Sequence, residues 1–440
     1  MALRRDTICA LASGPPPSAI SVLRISGPHV VEIISSRLSV SELKPRHATL
    51  VDLVDESDTL IDTGLAVFMR GPASYTGEDT LEISLHGGRV ITELALRAIM
   101  SAGARLAEPG EFTRRAFEAG KLDLTRAEAV ADLIDAESEA QHQQALKQMD
   151  GALEKLYAGW RGDLTTCLAL LEASIDFPDE EDAPDKVETP VRQTLTRLEK
   201  DLKHALDQGN ITERIRDGFK IAILGKPNAG KSTLLNQISK REAAIVTDIP
   251  GTTRDVVEVR LTMGGYLVWL SDTAGLRETS DIVEAEGVRR AMKAADEADL
   301  RIWVYDARED FESDRVRPGD LMVANKSDLV SPDRVSRETL RIAAKTGEGV
   351  SELEAEIIRR ISTLTQNVGA PMITRARHRQ GIERALTHVD LARGHLDLQI
   401  GSEFVAEDVR QASRELGMLT GHIDPDTVLG AVFSSFCIGK

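Results

Sequence analysis

Three short strings combine residue types and spacings that can handle a nucleoside triphosphate. The first, Gly225-Lys226-Pro227-Asn228-Ala229-Gly230-Lys231-Ser232, fits G-x-x-x-x-G-K-[ST] and follows the apolar run Phe219–Leu224. Its glycines let backbone N–H groups converge on phosphates at a helix amino terminus. Lys231 is expected to reach the β- and γ-phosphates and Ser232 to ligate magnesium, with Asn228, Ala229, Gly230 and Thr233 completing the cradle. The second string, Asp272-Thr273-Ala274-Gly275, ends another apolar run; its carboxylate can hold Mg2+ through water while the Gly275 N–H faces the γ-phosphate. The third, Asn325-Lys326-Ser327-Asp328, offers a carboxylate to the N1–H and exocyclic amino group of guanine, a donor pair adenine lacks. Leaving such a carboxylate unpaired costs about 1–3 kcal/mol or more, which rejects ATP strongly. Ala344-Lys345 stands where a further base-contacting loop belongs, with Ala343 in place of a more usual serine. Together the strings predict guanine-nucleotide binding and hydrolysis.

The water-orienting group is less apparent. Leu276 follows Gly275, and it can neither donate nor accept a hydrogen bond, whereas small signalling GTPases place a glutamine there. Either the domain is a slow switch or another group positions water. The local sequence does not show where the positive charge of an arginine finger would come from.

These strings need strands that end beside one another. The runs 219–224, 266–270, 300–305 and 321–324 alternate with helical stretches, the pattern of a doubly wound parallel sheet. Ahead of them, residues 1–119 mix short strand-like runs, such as 19–25 and 65–69, with a helical stretch over 90–101, and predict a small α+β domain. From about Lys121, Leu146, Met149, Leu153, Leu156, Trp160, Leu164, Cys167 and Leu171 recur at steps of three and four, enough for one long bundle helix. An acidic, proline-bearing run from Asp176 to Asp185 predicts a solvated loop, and Leu195, Leu198 and Leu202 resume the stripe. Ile382, Leu386 and Val389, then Val409, Ala412, Leu416 and Leu419, restore the helical period. The expected architecture is multidomain, α+β and α/β. An all-α domain is split into 120–216 and 366–440, with a P-loop domain, 217–365, inserted in it.

The remaining composition narrows the class. Of the 440 residues 42% are hydrophobic and 28% charged, ordinary for a globular chain. No apolar run approaches the roughly 20 residues of a membrane-spanning helix, so no membrane insertion is expected. The amino terminus lacks the apolar core of a cleaved signal. Cys9, Cys167 and Cys437 are too scattered for a disulfide framework or zinc cluster, which fits a reducing, cytoplasmic setting. Cys437-Ile438-Gly439-Lys440 is a poor prenylation tail. His86-Gly87-Gly88, without G-x-S-x-G, reads as a structural turn and not an esterase oxyanion loop. Against 71 acidic residues stand 54 basic ones, a net charge of −17, so any RNA contact needs a local basic surface or a partner's.

Further strings carry a resemblance: Leu23-Arg24-Ile25-Ser26-Gly27-Pro28, Ser74-Tyr75-Thr76-Gly77-Glu78-Asp79, Leu85-His86-Gly87-Gly88 and Pro109-Gly110-Glu111-Phe112-Thr113-Arg114-Arg115-Ala116-Phe117. Gly120-Lys121-Leu122-Asp123-Leu124, Asp176-Phe177-Pro178, Gly251-Thr252-Thr253-Arg254-Asp255 and the Cys437–Lys440 tail extend it. Over essentially its whole length the chain resembles the MnmE (TrmE) family of tRNA-modification GTPases, within the wider TrmE-Era-EngA-like group. Departures are minor: Glu108 stands where the family usually has a basic residue, and the Ala343 variation does not disturb the resemblance.

The resemblance implies a K+ ion in place of an arginine finger, held by Asn228 with Thr247, Ile249 and Thr252. The loop Thr247, Asp248, Ile249, Pro250, Gly251, Thr252 and Thr253 would line the GTP, Thr253 would join Ser232 on Mg2+, and Glu284 would orient water. Taken alone, Glu284 reads as a solvated helix-start carboxylate. The catalytic set is then Lys231, Asp272 and Glu284. The resemblance also implies a 5-formyl- or 5,10-methylene-tetrahydrofolate site at Arg24, Glu82, Lys121 and Lys440 in the amino-terminal, dimerising domain. It implies a homodimer that works on tRNA with a flavin (FAD)-dependent partner resembling MnmG. The joint product would be a carboxymethylaminomethyl or aminomethyl group at C5 of the wobble uridine. Two rivals stay open on the residues: a ribosome-assembly or signalling GTPase whose flanks bind partners, and a folate enzyme merely regulated by GTP.

Overall fold

A computed structural model describes residues 6–176, 183–241, 256–273, 293, 295–311, 315–366, 373–423, 429, 432–433 and 436–439, with the side chains of 183–186, 256–257 and 273 left out. The chain divides into two compact units, one of residues 1–131, 157–168 and 410–440, the other of 132–156 and 169–409.

The first unit is built on β1 (Thr7–Leu11), β2 (Ile20–Ser26), α1 (Val30–Arg37), β3 (Ala48–Val54), β4 (Leu60–Met69), β5 (Thr80–His86), α2 (Arg89–Ser101) and β6 (Ala104–Leu106). The strands form one sheet in the order β3-β4-β5-β2-β1-β6, antiparallel except for the β1/β6 edge. Period-two alternation sorts its faces. Leu23 and Ile25 of β2 and Leu81 and Ile83 of β5 pack in one core with Ile33 of α1 and Ile99 of α2. Each such buried side chain contributes roughly 1.5–3 kcal/mol. Arg24, between Leu23 and Ile25, points the other way, toward the rings of Tyr75 and Phe112. His86 and Gly87 turn the chain into α2: the His86 N–H donates to Asp62 and Gly87 abuts the Ser18 backbone. That is the expected structural turn.

Next come α3 (Glu111–Glu118), α4 (Leu124–Ile134), α5 (Glu139–Met149), α6 (Ala152–Asp176) and α7 (Ala183–Asp217). The stripe expected as one long helix is two helices. Asp150 caps α5 and Gly151, at φ +80°, reverses the backbone before α6 begins. A left-handed residue cannot continue a helix, even though apolar spacing stays in phase across it. Leu146 and Met149, on the near side of the break, are exposed, while Leu153, Trp160, Leu164 and Leu171 are buried. Of the acidic run expected as a loop, Asp176 closes α6 and residues 183–185 open α7; 177–182 lie outside the described residues.

The second sheet comprises β7 (Phe219–Leu224), followed by α8 (Lys231–Arg241), then β8 (Val256–Met263), β9 (Tyr266–Thr273), β10 (Leu300–Asp306), β11 (Leu321–Asn325) and β12 (Leu340–Arg341). Its order is β12-β11-β10-β7-β9-β8, parallel except for the β8/β9 hairpin. Apart from exposed Lys220, the inner strands β7 and β10 are buried on both faces, so they read as nearly continuous apolar runs, interrupted by Lys220 and Arg301, and not as alternating ones. After them come α9 (Val350–Thr365), α10 (Ala376–Asp397) and α11 (Ser402–Thr420). α7 packs along α10, where Leu195, Leu198, Ile382, Ala385 and Val389 are fully buried. Arg379–Glu213 at 2.7 Å and the pairs Arg393–Glu199 and Arg192–Asp397 border that seam.

Candidate nucleotide site

The strand order fixes where a ligand enters. From β7 the sheet grows one way through β9 and β8 and the other way through β10, so the connection that follows β7 and the one that follows β9 run to opposite sides of β7. Parallel open sheets bind ligands in the crevice at such a switch point. The register lines up the ends: Ile223 lies opposite Asp272, Trp303 opposite Leu224, and Asp306 opposite Asn325. All three sequence strings therefore come together at one edge.

The phosphate loop depends on two of its glycines. Gly225, at φ +144°, passes so close to the Val304 carbonyl that a Cβ there would collide with backbone oxygen. Gly230, at φ +95°, leaves room for the Asn325 amide, which a Cβ would displace. Lys231 is buried at the first turn of α8, and its Nζ donates to the carbonyls of Gly225 at 2.9 Å and Lys226 at 3.2 Å. Burial pushes this ammonium below its usual pKa, with the Asp272 carboxylate partly offsetting it. A phosphate anion is the partner such a buried ammonium favours.

Ser232 Oγ donates to Asp272 Oδ2 at 2.5 Å. The other carboxylate oxygen, Asp272 Oδ1, is buried and has no hydrogen-bond partner among the described residues. A hydroxyl on a carboxylate that keeps one orphaned oxygen is the hard donor set a magnesium ion takes, with water and phosphate oxygens completing its shell. The residues present fit Mg2+.

Asn325 holds the two loops of the base side together. Its Nδ2 donates to the Ala229 carbonyl at 2.7 Å, and its Oδ1 accepts from the N–H groups of Lys326 at 2.8 Å and Ala344 at 2.9 Å. Ser327 is buried, its N–H donating to Ile342 O at 3.0 Å. Asp328 is exposed beside it, free to meet a base, and so is Lys345 beyond the buried Ala343 and Ala344. Lys326 reaches back to Asn228 O at 2.9 Å and sideways to Asp306 Oδ2 at 2.8 Å. Asp306 belongs to no string singled out from the sequence. The signal that finds it is position: like Asp272 and Asn325, it is a polar residue closing an apolar strand.

Asn228 and Thr233 are exposed at the loop and at the start of α8. Thr273 ends β9. Ala274, Gly275, Thr247, Asp248, Ile249, Pro250, Gly251, Thr252, Thr253, Leu276 and Glu284 lie outside the described residues. Of the expected potassium ligands, Asn228 alone is described, held at φ +64° with its side chain toward solvent.

In the first unit, Arg24 and Glu82 face each other across β2 and β5, Arg24 Nε donating to Glu82 Oε1 at 2.8 Å. Arg24 Nη1 also donates to Gly439 O at 3.4 Å, which brings Gly439 beside them. Lys121 Nζ donates to Pro72 O at 2.5 Å, in the loop that carries Tyr75. Glu82 Oε1 is thus engaged by Arg24. Lys440 lies outside the described residues.

A phosphate loop, a serine–aspartate pair and an Asn-Lys-x-Asp segment at one switch point define a P-loop GTPase. Family models agree over both units: "GTP-binding protein TrmE N-terminus" matches residues 7–121 and "MnmE helical domain" matches 124–437. Relatives named tRNA modification GTPase MnmE include those of Hyphomonas neptunium, 54% identical over 99% of each chain, and Caulobacter vibrioides, 47% identical over 99% of this chain and 100% of its own. The chain belongs to the MnmE family. Among solved structures, the G domain of the T. maritima FeoB iron transporter is 25% identical, covers 33% of this chain and 98% of its own, and has a TM-score of 0.25. The GTPase assignment rests on the site's geometry and the family, not on that likeness. Among the described residues no helix is long and apolar enough to cross a membrane.

Proposed function

We propose that this chain hydrolyses GTP to drive modification of tRNA. With an FAD-dependent partner resembling MnmG, it adds a carboxymethylaminomethyl or aminomethyl group to C5 of the wobble uridine in certain tRNAs. The observation that carries the GTPase half is the Ser232–Asp272 pair beside buried Lys231, locked to the base side by Asn325. The tRNA half is supported by the relatives' shared name over nearly full length.

In this reading residues 217–365 are the nucleotide domain, set between helical segments 120–216 and 366–440. Lys231 and the loop N–H groups neutralise the β- and γ-phosphates, Asp328 selects guanine, and Asn325 keeps the two loops in register. Ser232, Asp272 and Thr253 hold Mg2+; Asn228, Thr247, Ile249 and Thr252 hold K+; Glu284 orients water. Bound metal ions supply positive charge to the phosphoryl oxygens as negative charge develops there. Arg24 and Glu82 in the amino-terminal domain (residues 1–119), with Lys121 and Lys440, bind a one-carbon tetrahydrofolate: carboxylate toward the pterin's N–H groups, basic groups toward its glutamate tail. The chain works as a cytoplasmic homodimer.

Comparing GTP turnover in potassium and in sodium buffer tests the cation assignment. Turnover faster in potassium by on the order of a hundredfold is expected, since one lost transition-state charge partner costs about that much. Equal slow rates would remove the role given to Asn228. Wobble-uridine analysis in a deletion strain tests the tRNA half, and unchanged nucleosides there would overturn it.

A further inference from the structure

The Lys326 ammonium joins elements far apart in sequence. It donates to Asn228 O, in the phosphate loop, at 2.9 Å and to Asp306 Oδ2, at the end of β10, at 2.8 Å. Asp306 is only 6% exposed. Its Oδ1 accepts from the backbone N and Nε of Arg308, both at 3.0 Å, and Arg308 Nη2 reaches Oδ2 at 2.7 Å. Asn228 and Lys326 both sit in the left-handed region, at φ +64° and +59°, which L side chains rarely adopt without something to hold them there.

We propose that Asp306 is a positioning residue for guanine-nucleotide binding. By fixing the Lys326 ammonium against the Asn228 carbonyl, it makes the base-recognition segment set the shape of the phosphate loop. A lysine on a four-carbon stem has many rotamers in water, and a buried carboxylate selects one of them. Arg308 clamps the carboxylate from its other side, so the acceptor is fixed before nucleotide arrives. Hydrogen bonds from Arg308 and Lys326 hold the Asp306 carboxyl well below the usual carboxylate range, which keeps it anionic at any working pH. The proposal rests on the reading of residues 325–328 as the guanine-recognition segment.

The test is a double-variant cycle in the full chain, with affinity for a fluorescent GDP as readout. Asp306→Ala is expected to weaken GDP binding about tenfold, the worth of one charge-assisted hydrogen bond. In a Lys326→Ala background the same change should alter affinity by less than about twofold, because its only route of action is gone. A wild-type affinity for Asp306→Ala, or losses that multiply in the double variant, would overturn the proposal. If Asp306→Ala does not fold, the isosteric Asp306→Asn runs the same cycle with the same criteria. Asp328→Asn, measured alongside, separates this idea from the one beneath it. Lost guanine preference together with multiplying losses removes only the role of Asp306. An unchanged GTP-over-ATP preference removes the base reading and this proposal with it.

Discussion

At the scale of single residues, the site is made of charges that nucleotide binding completes. Lys231 is buried against two carbonyls, an arrangement that leaves its charge only partly compensated. Replacing a buried, under-paired charge by an apolar side chain of similar volume is often neutral or stabilising. Lys231→Met should therefore leave the melting temperature of the nucleotide-free protein unchanged or raised, while GDP affinity in a titration falls by about a hundredfold or more. Asp328 makes the opposite kind of prediction, a switch instead of a loss. An asparagine amide there can donate to a carbonyl where guanine presents an amino group. Asp328→Asn should thus prefer xanthosine over guanosine diphosphate in a competition assay, and a retained guanine preference would show that Asp328 does not read the base.

Elements hold these residues by backbone constraints that few substitutions respect. Gly225 lets the chain leave β7 past the Val304 carbonyl, so Gly225→Ala must displace β10 or distort the loop. It should lower unfolding stability by about 1–3 kcal/mol in denaturant titration and abolish nucleotide binding. In the first unit α3 is tied down by charge. Glu111, buried in its first turn, accepts from Arg105 at 2.6 and 2.8 Å, from Arg115 at 3.0 Å and from the Glu108 N–H at 2.8 Å. Burial would raise its pKa, but Arg105, the Glu108 N–H and Arg115 outweigh that and hold the carboxyl below its ordinary value. A carboxylate with a depressed folded pKa contributes stability that is full above its unfolded value and lost as pH falls through the folded one. Wild type should therefore lose stability more steeply than Glu111→Gln between about pH 5 and pH 3; parallel curves would show that Glu111 contributes nothing to acid sensitivity. Strands were the most legible elements, because burial on both faces writes them as nearly unbroken apolar runs such as Phe219–Leu224, interrupted only by the exposed Lys220. The helical stripe from Leu146 to Leu171 was misleading for a physical reason. Apolar spacing reports a face, and two successive helices can share its phase, so only Asp150-Gly151 marked the break. Asp306 was illegible as a site residue because its value lies in partners from two other segments, Lys326 and Asn228, that the fold alone brings together.

Across the whole molecule, a net charge of −17 has to be reconciled with a family whose relatives are named for tRNA modification. Phosphate contacts dominate nucleic-acid affinity, and an acidic chain is poorly placed to supply them. In gel-shift titrations tRNA should bind this chain alone more weakly than the mixture of chain and the proposed flavin-dependent partner, and equal affinities would place the main tRNA surface here instead. The most direct test of the account is upstream of tRNA. Its foundation is that the edge formed by β7, β9, β10 and β11 accepts guanine nucleotides and rejects adenine ones. Purified protein charged with fluorescent GDP and challenged with unlabelled nucleotides measures this. GTP and GDP should displace the label, and ATP should fail to do so at about a thousandfold higher concentration. Displacement by ATP at concentrations similar to GTP would contradict the account at its base.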